Sequence, residues 1–246
     1  HLRRAIEFNE LDLHYQPQVN LKTGEIDSFE ALLRWNNRKF GFVSPAQFIP
    51  MAEESGLIHS IGDWVLEVVC LQLKEWQDKQ FRQVRIAVNI SPKQFQTGAF
   101  AENARNIIEK HGIHPSSFEV EITESALMNM KDTLSTLQKL KAIGVTISVD
   151  DFGTGYSSLS YLKQYPIDII KIDRSFIKDI EVDEKNEAIA KTIINLAHNL
   201  GMQVIAEGVE KDLQAKILKE ANCHKAQGFL FSKAVPASEI VEKYFA

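Results

Sequence analysis

The chain has 246 residues, of which 44% are hydrophobic and 25% charged, proportions that exclude a disordered or collagen-like polypeptide. A net charge of −5 argues against a general surface for polymeric nucleic acid. No apolar run approaches the ~18 residues of a membrane span, so no membrane contact is expected of this region.

The chain begins at His1 rather than Met, so residues 1–246 are read as a single domain cut from a longer protein, whose missing segments could anchor it to a membrane. The two cysteines, Cys70 and Cys223, lack a Cys-x-x-Cys spacing and fit reduced thiols in a cytoplasmic domain. Residues 2–9 read as the end of a helix. Leu11 to Val19 alternates as a strand, residues 20–25 form a turn, and Ile26 to Trp35 is a second strand. That connection is too short for a crossover helix, so the two strands are expected to pair antiparallel. Gly41 to Pro45 is a loop, Pro45 to Gly56 a short helix, and residues 60–79 a long amphipathic helix.

From there strands and helices alternate. The predicted strands are Val84–Ile90, Phe118–Ile122, Val145–Val149, Asp168–Ile172, Gln203–Ala206 and Ala226–Leu230. The predicted helices are 98–111, 131–143, Ser157–Lys163, 183–200, 211–221 and 236–245, several closed by Gly112, Gly144 or Gly201. This order predicts an α/β fold, a modified TIM (β/α)8 barrel with an antiparallel first strand. A doubly wound open sheet is the alternative, without a Gly-x-Gly-x-x-Gly after the first strand to support it.

Polar residues recur where these strands end. They are Glu30, Asn89, Glu121, Asp150 and Asp151, Lys171 and Asp173, Glu207, and Gln227 at or within the last strand. Each has an ordinary reading by itself. Glu30 could pair with Arg34, Asn89 could cap the helix after Pro92, and Lys171 and Asp173 could be a solvated pair. In a barrel, however, strand C-termini share one mouth, which is where active sites are built. Glu30, Glu121, Asp150, Asp151 and Glu207 there repel one another and an anionic substrate alike, and two divalent cations would reverse that field. Such a pair clamps the attacking and leaving oxygens of a phosphoryl displacement, and a lysine nearby can orient or deprotonate the water. Phosphodiester hydrolysis is therefore the favoured chemistry. Proton abstraction beside a carboxylate, in the manner of metal barrels that use lysine and acids, is the rival. Asp151-Phe152-Gly153 matches a kinase motif whose companion motifs are missing, and no P-loop or nucleophile elbow is present.

Glu30-Ala31-Leu32 with Arg34-Trp35 is similar to the signature of the EAL-domain cyclic di-GMP phosphodiesterases. So are Tyr15-Gln16-Pro17, Phe48-Ile49-Pro50 with Ala52-Glu53, Val88 to Pro92, Glu121-Ile122-Thr123-Glu124, Asp150 to Leu159, Lys171 to Phe176, Ala206 to Glu210 and Gln227-Gly228-Phe229. The resemblance covers essentially the whole chain. It implies a barrel with an antiparallel first strand that hydrolyses cyclic di-GMP to linear pGpG, using two Mg²⁺ or Mn²⁺ and inhibited by Ca²⁺. It further implies Glu30, Asn89, Glu121 and Asp150 as ligands of the first metal, Asp150 as the bridge, Asp151 as ligand of the second with Glu207 near it, and Lys171 as the water-positioning or base residue. Glu124 resembles the anchor of the loop 151–159. Gln16 and Arg34, with Gln227 and Glu210, resemble substrate contacts. A homodimer formed near the loop after the fifth strand and an upstream cyclase or sensor domain are implied as partners. The segment 35–41 lacks a His-Pro common in the family, and Ser28 replaces a frequent glycine, neither at a ligand position. The alternative is an idle cyclic di-GMP receptor or interaction module, and degenerate members of the family usually lose one of the acids that are all present here.

Overall fold

The computed structural model describes residues 1–81, 83–95, 98–129, 133–155 and 160–245. The chain opens with a hairpin, β1 (Leu11–Asn20) and β2 (Ile26–Asn37), paired antiparallel from Leu11↔Trp35 to Val19↔Ile26. The turn closes on the Asn20 side chain, which accepts hydrogen bonds from the Lys22 and Thr23 backbone amides at 2.9 and 3.1 Å. A short strand β3 (Gly41–Val43) folds back on β2, inside the segment read from sequence as a loop. Next come α1 (Pro45–Ser55) and α2 (Leu57–Asp78). α2 buries Ile58, Ile61, Val65, Leu66, Val69, Leu73 and Trp76, the three-and-four spacing of a helix with one face on the core.

The alternation that follows is β4 (Arg85–Asn89), α3 (Pro92–Phe95), α4 (Phe100–His111), β5 (Phe118–Thr123), α5 (Glu124–Asn129), α6 (Thr133–Ile143) and β6 (Thr146–Phe152). After it come α7 (Ser160–Gln164), β7 (Ile169–Ile172), α8 (Arg174–Ile177), α9 (Glu184–Asn199), β8 (Gln203–Ala206), α10 (Asp212–Glu220), β9 (Lys225–Ala226), β10 (Val235–Pro236) and α11 (Ala237–Ile240). The predicted helix starts at 131–132 and 157–159 lie outside the described residues. β2 and β4 to β9 run parallel in sequence order, and β1 closes the ring antiparallel to both β2 and β9. β3 and β10 lie outside this closed eight-stranded barrel. No single helix among the described residues is long and apolar enough to cross a membrane.

Three expectations are corrected. The strand read as Ala226–Leu230 ends at Ala226, because the chain turns at Gly228, whose carbonyl accepts from the Phe231 amide at 3.1 Å. The amino-terminal helix is only a three-residue 3-10 turn, Leu2–Arg4. The last helix holds its α form over Ala237–Ile240 and widens into one π turn, Val241–Phe245.

The apolar strand residues face the helices: Phe118, Val120 and Ile122 on β5, and Ile147 and Val149 on β6, are buried. The opposite set, pointing into the barrel, is polar. Gln18, Ser28, Glu119, Glu121, Ser148 and Lys171 are all buried, where most barrels of this kind stack branched apolar side chains. At the floor, Arg85 pairs with Glu119 at 2.7 Å, and Lys225 donates to Asp27 and to the Ser28 hydroxyl. Burying polar groups costs stability unless they are partnered; these pairs offset part of that cost, while Gln18 Oε1 and Glu121 Oε1 are left without a hydrogen-bond partner among the described residues.

Glu10 ties the amino-terminal segment to the end of β2. Its carboxylate accepts from Trp35 Nε1 at 3.0 Å, Asn37 Nδ2 at 2.7 Å and the Arg38 amide at 3.3 Å. The Trp35 bond, helped by Arg38 and Asn37, holds its pKa below the ordinary carboxylate value against the effect of burial. A depressed carboxylate contributes stability above its unfolded pKa and loses it as pH falls through the folded one. Glu10→Gln is expected to lower the melting temperature at pH 7 and to narrow the gap from wild type in acid. A parallel shift at both pH values would show that the charge is irrelevant.

Candidate active site

Lys171 is the centre of the barrel mouth. Its side chain is 0% exposed, and Nζ lies 2.7 Å from Glu207 Oε1, 2.9 Å from Glu121 Oε2, 3.4 Å from Asp150 Oδ1 and 3.5 Å from Glu30 Oε2. Four acids from β2, β5, β6 and the residue after β8 thus converge on one ammonium. The solvated Lys171–Asp173 pair and the Glu30–Arg34 pair conceivable from sequence are not formed. Asp173 instead caps α8 by accepting from the Ser175 amide at 2.9 Å, and Arg34 donates to the Leu33 carbonyl at 3.0 Å.

The ring is locked from both sides at Glu30. Asn89 Nδ2 donates to Oε1 at 2.6 Å, and Gln227 Nε2 donates to Oε2 at 2.5 Å. Burial opposes ionisation of Glu30, but Lys171, Gln227 and Asn89 outweigh it and hold the pKa below the ordinary value. Burial raises Glu121 well above that value, with Glu30 and Asp150 adding to the effect and Lys171 opposing it. Burial likewise pushes Glu207 up to about 8, Lys171 again opposing. Lys171 itself is raised, because Asp150, Glu121, Glu207 and Glu30 together overcome the desolvation that would lower it. It is therefore held as an ammonium that donates hydrogen bonds.

The two adjacent acids owe their placement to a β-bulge. β6 pairs with β7 as Ser148↔Ile169 and Val149↔Ile170, then slips, so that Phe152 faces Ile172. Asp150 and Asp151 together oppose the single residue Lys171, and β6 runs on past both acids to Phe152. The extra residue, Asp151, has φ +54°, a left-handed conformation that costs a non-glycine residue about 1–3 kcal/mol and tends to occur at functional sites. Asp150 Oδ1 accepts from the Asp151 amide at 2.9 Å. Burial, Asp150 and Asp173 raise the Asp151 pKa. Asp150, Asp151 and Glu207 each offer an oxygen within 4.8 Å of the others.

Glu124, at the start of α5, reaches the segment after the bulge. Oε2 accepts from the Gly153 amide at 2.9 Å and Oε1 from the Tyr161 hydroxyl at 3.1 Å. Gly153 has φ +95°, and a Cβ there would lie 2.9 Å from the Phe176 ring, so only glycine fits. Residues 156–159 of the predicted loop lie outside the described residues. Glu124→Ala is expected to speed hydrogen exchange at the Gly153 amide and to reduce turnover roughly 10–100-fold, the range for partners one shell away from a metal site. Unchanged exchange and kinetics would dismiss the anchoring role.

An open groove of about 230 Å³ leads to these acids, lined by Gln16, Glu30, Leu32, Asp150, Glu207, Glu210, Gln227 and, unmarked as site residues by sequence, Arg174 and Phe229. Arg174 Nη2 donates to Glu210 Oε1 at 2.9 Å. It lies across Gly208, where a Cβ would come within 2.3 Å of the arginine stem. The close approach could be read from sequence only as an unexplained glycine after Glu207. Phe229 is 59% exposed, a large ring left open at the rim. Arg34 does not line this groove. It borders a neighbouring cavity of about 310 Å³ between α1, α2 and strands β2 and β4, together with Ile49, Glu53, Asn89 and Ser91. Leu32 borders both spaces.

The donor set of the mouth is all oxygen, which suits hard divalent cations. Oε1 of Glu121, fully buried, has no hydrogen-bond partner among the described residues. A buried carboxylate oxygen without a partner is costly and becomes intelligible as a ligand atom, so the residues fit a metal.

The family model for the EAL domain matches residues 1–234. The chain is 43% identical over 241 residues to the bifunctional diguanylate cyclase/cyclic di-GMP phosphodiesterase MucR of Pseudomonas aeruginosa, covering 98% of this chain and 35% of that protein. It is 40% identical over 242 residues to the cyclic di-GMP phosphodiesterase NbdA of the same organism, covering 98% and 31% respectively. The chain thus spans about a third of the length of these curated relatives. Among solved structures, the PaMucR phosphodiesterase in complex with c-di-GMP superposes with a TM-score of 0.93 at 43% identity, covering 97% of each chain.

Proposed function

The chain belongs to the EAL domain family, and we propose that it hydrolyses one phosphodiester of cyclic di-GMP to give linear pGpG. The observation that carries this reading is the convergence of Glu30, Glu121, Asp150 and Glu207 on the buried Lys171 at one barrel mouth. A relative that matches the whole fold was solved with c-di-GMP bound.

Glu30, Asn89, Glu121 and Asp150 would hold one divalent ion, and Asp150, Asp151 and Glu207 a second. Bound Mg²⁺ or Mn²⁺ would neutralise the phosphate and acidify a water molecule. Inhibition by Ca²⁺ is expected, since the same oxygens suit a larger ion with looser geometry. Lys171, as an ammonium, keeps the acids convergent and can donate to a water or phosphate oxygen at the mouth. Its raised pKa favours positioning over proton abstraction. Glu207, pushed up to about 8 by burial, suits a group that accepts or returns a proton. Gln16 and Gln227 line the groove and are the amide side chains placed to contact the substrate there, Gln227 by exchanging one of its present hydrogen bonds. Arg34 and Glu210 meet it from the adjoining cavity and the opposite rim. Two adjoining spaces divided by Leu32 suit a ligand of two linked nucleotides.

The relatives' greater length accords with a domain that works beside others, an upstream cyclase or sensor among them. Pairing of two copies near the segment after β6 would give such partners access to Asp150 and Asp151. Cys70 and Cys223, both buried and free, accord with a cytoplasmic setting. The test is incubation of purified protein with cyclic di-GMP and Mn²⁺, with products separated by chromatography. Formation of pGpG, suppressed by Ca²⁺, is the expected result. Tight binding of cyclic di-GMP without pGpG, even at high enzyme concentration, would replace this reading with that of a receptor.

A further inference from the structure

One layer below the mouth, Gln18 on β1 is fully buried. The antiparallel pairing of β1 with β9, Val19↔Ala226 and Asn20↔Lys225, continues to set Gln18 opposite Gln227. Gln18 Nε2 donates to Gln227 Oε1 at 3.2 Å. Gln227 Nε2 then donates to Glu30 Oε2 at 2.5 Å and to Gln16 Oε1 at 3.2 Å. Gln16 Nε2 ends the series on the Ser232 carbonyl at 3.1 Å.

A primary amide has one accepting and one donating end, and a carboxylate only accepts. Turning Gln227 over would press its oxygen against the Glu30 carboxylate and its NH₂ against the NH₂ of Gln18. The Glu30 carboxylate therefore fixes the direction of the series, and Gln18 is the donor that meets the Gln227 oxygen which that direction turns away from Glu30. It does so at a cost: its own Oε1 is buried with no partner among the described residues. A side chain kept polar under those terms is explained by what its donor end does: a leucine here would remove that orphan oxygen but leave the buried Gln227 Oε1 without its donor.

We propose that Gln18 is a positioning residue for the active site. From beneath the mouth its Nε2 holds the Gln227 oxygen and so braces the amide that aims the Glu30 carboxylate and meets Gln16 Oε1. The inference deepens the hydrolytic reading and rests on it for its kinetic consequences, but its structural claim can be read separately.

The experiment compares Gln18→Leu and Gln18→Glu with wild type by three measurements: the side-chain amide resonances of ¹⁵N-glutamine-labelled protein, Mn²⁺ affinity from the paramagnetic resonance of the free ion, and hydrolysis kinetics. Gln18→Leu is expected to shift the Gln227 and Gln16 amide resonances, to weaken Mn²⁺ binding about 10-fold and to lower kcat/KM by a similar factor, as loss of an outer-shell partner does. Its melting temperature should stay near wild type, because one unpartnered oxygen, Gln18 Oε1, is removed while another, Gln227 Oε1, loses its donor. Gln18→Glu, which sets an acceptor against an acceptor, should lose more on every count. In a Gln227→Leu background, Gln18→Leu should add nothing, since its effect passes through that amide. Unmoved resonances with wild-type Mn²⁺ affinity would overturn the proposal, and so would additive losses in the double variant. If Gln18→Leu fails to fold, Gln18→Met carries the same comparison. If wild type does not cleave cyclic di-GMP, the hydrolytic reading fails while the resonances and Mn²⁺ titration still decide the role of Gln18.

Discussion

Lys171→Met is expected to lower kcat for cyclic di-GMP by at least about 10²–10³-fold, the loss typical of removing a positioned donor from a reaction centre. It is also expected to destabilise the metal-free protein by roughly 3–5 kcal/mol at pH 7, because it leaves buried carboxylates without their counter-charge. The reason is the geometry around one nitrogen: Nζ is within 3.5 Å of oxygens of Glu30, Glu121, Asp150 and Glu207. The loss should shrink on adding Mn²⁺, which supplies the missing positive charge, so melting curves in EDTA and in Mn²⁺ should diverge far more for the variant than for wild type. The same site gives wild type a pH signature. Glu207, raised from its ordinary 4.5 to about 8, keeps its proton in the folded state while the unfolded chain releases it. Its contribution is complete below about pH 4.5 and is lost as pH rises through about 8. Glu121 and Asp151 are shifted in the same direction. Lys171, raised above the ordinary lysine value, keeps its stabilising charge throughout that window. Metal-free wild type should therefore lose stability between about pH 4.5 and 8, and Mn²⁺ should restore it. A flat profile in EDTA, or a Lys171→Met variant as stable and active as wild type, would remove Lys171 from the centre of the site.

Asp150→Asn is expected to reduce turnover by more than about 100-fold, the upper end for outer-shell partners alone, while leaving the fold in place. An asparagine can still accept from the Asp151 amide, as Asp150 Oδ1 does at 2.9 Å, so the bulge keeps its shape. What is lost is one negative charge beside Lys171 and one charged oxygen of the Asp150, Asp151 and Glu207 cluster. Circular dichroism should match wild type, Mn²⁺ titration should show weakened binding, and pGpG formation should nearly cease. Full turnover with wild-type Mn²⁺ affinity would mean that the metal assignment is wrong.

Much of this architecture is legible in one dimension. The hairpin of β1 and β2 follows from a turn too short for a crossover, and the parallel order of the later strands follows from helices between them. Glu30, Asn89, Glu121 and Lys171 could be picked out because each stands on or beside an apolar strand run that has no local use for it. Strand ends were harder. β9 stops after two residues although Ala226–Leu230 reads as a strand, because Gly228 packs against the Val209 backbone, where a Cβ would meet the carbonyl oxygen at 2.0 Å, and the chain turns there.

The sequence by itself determined the barrel, its antiparallel start and the set of polar residues brought to one mouth, since strand period, turn length and alternation are local properties of the chain. Only the tertiary structure decided how those residues meet. The slip that sets Asp150 and Asp151 together against Lys171, the displacement of Arg34 into a separate cavity, and the amide series from Gln18 through Gln227 to Glu30 all depend on register between strands remote in sequence. Such register is set by the closure of the whole ring, and no segment read alone contains it.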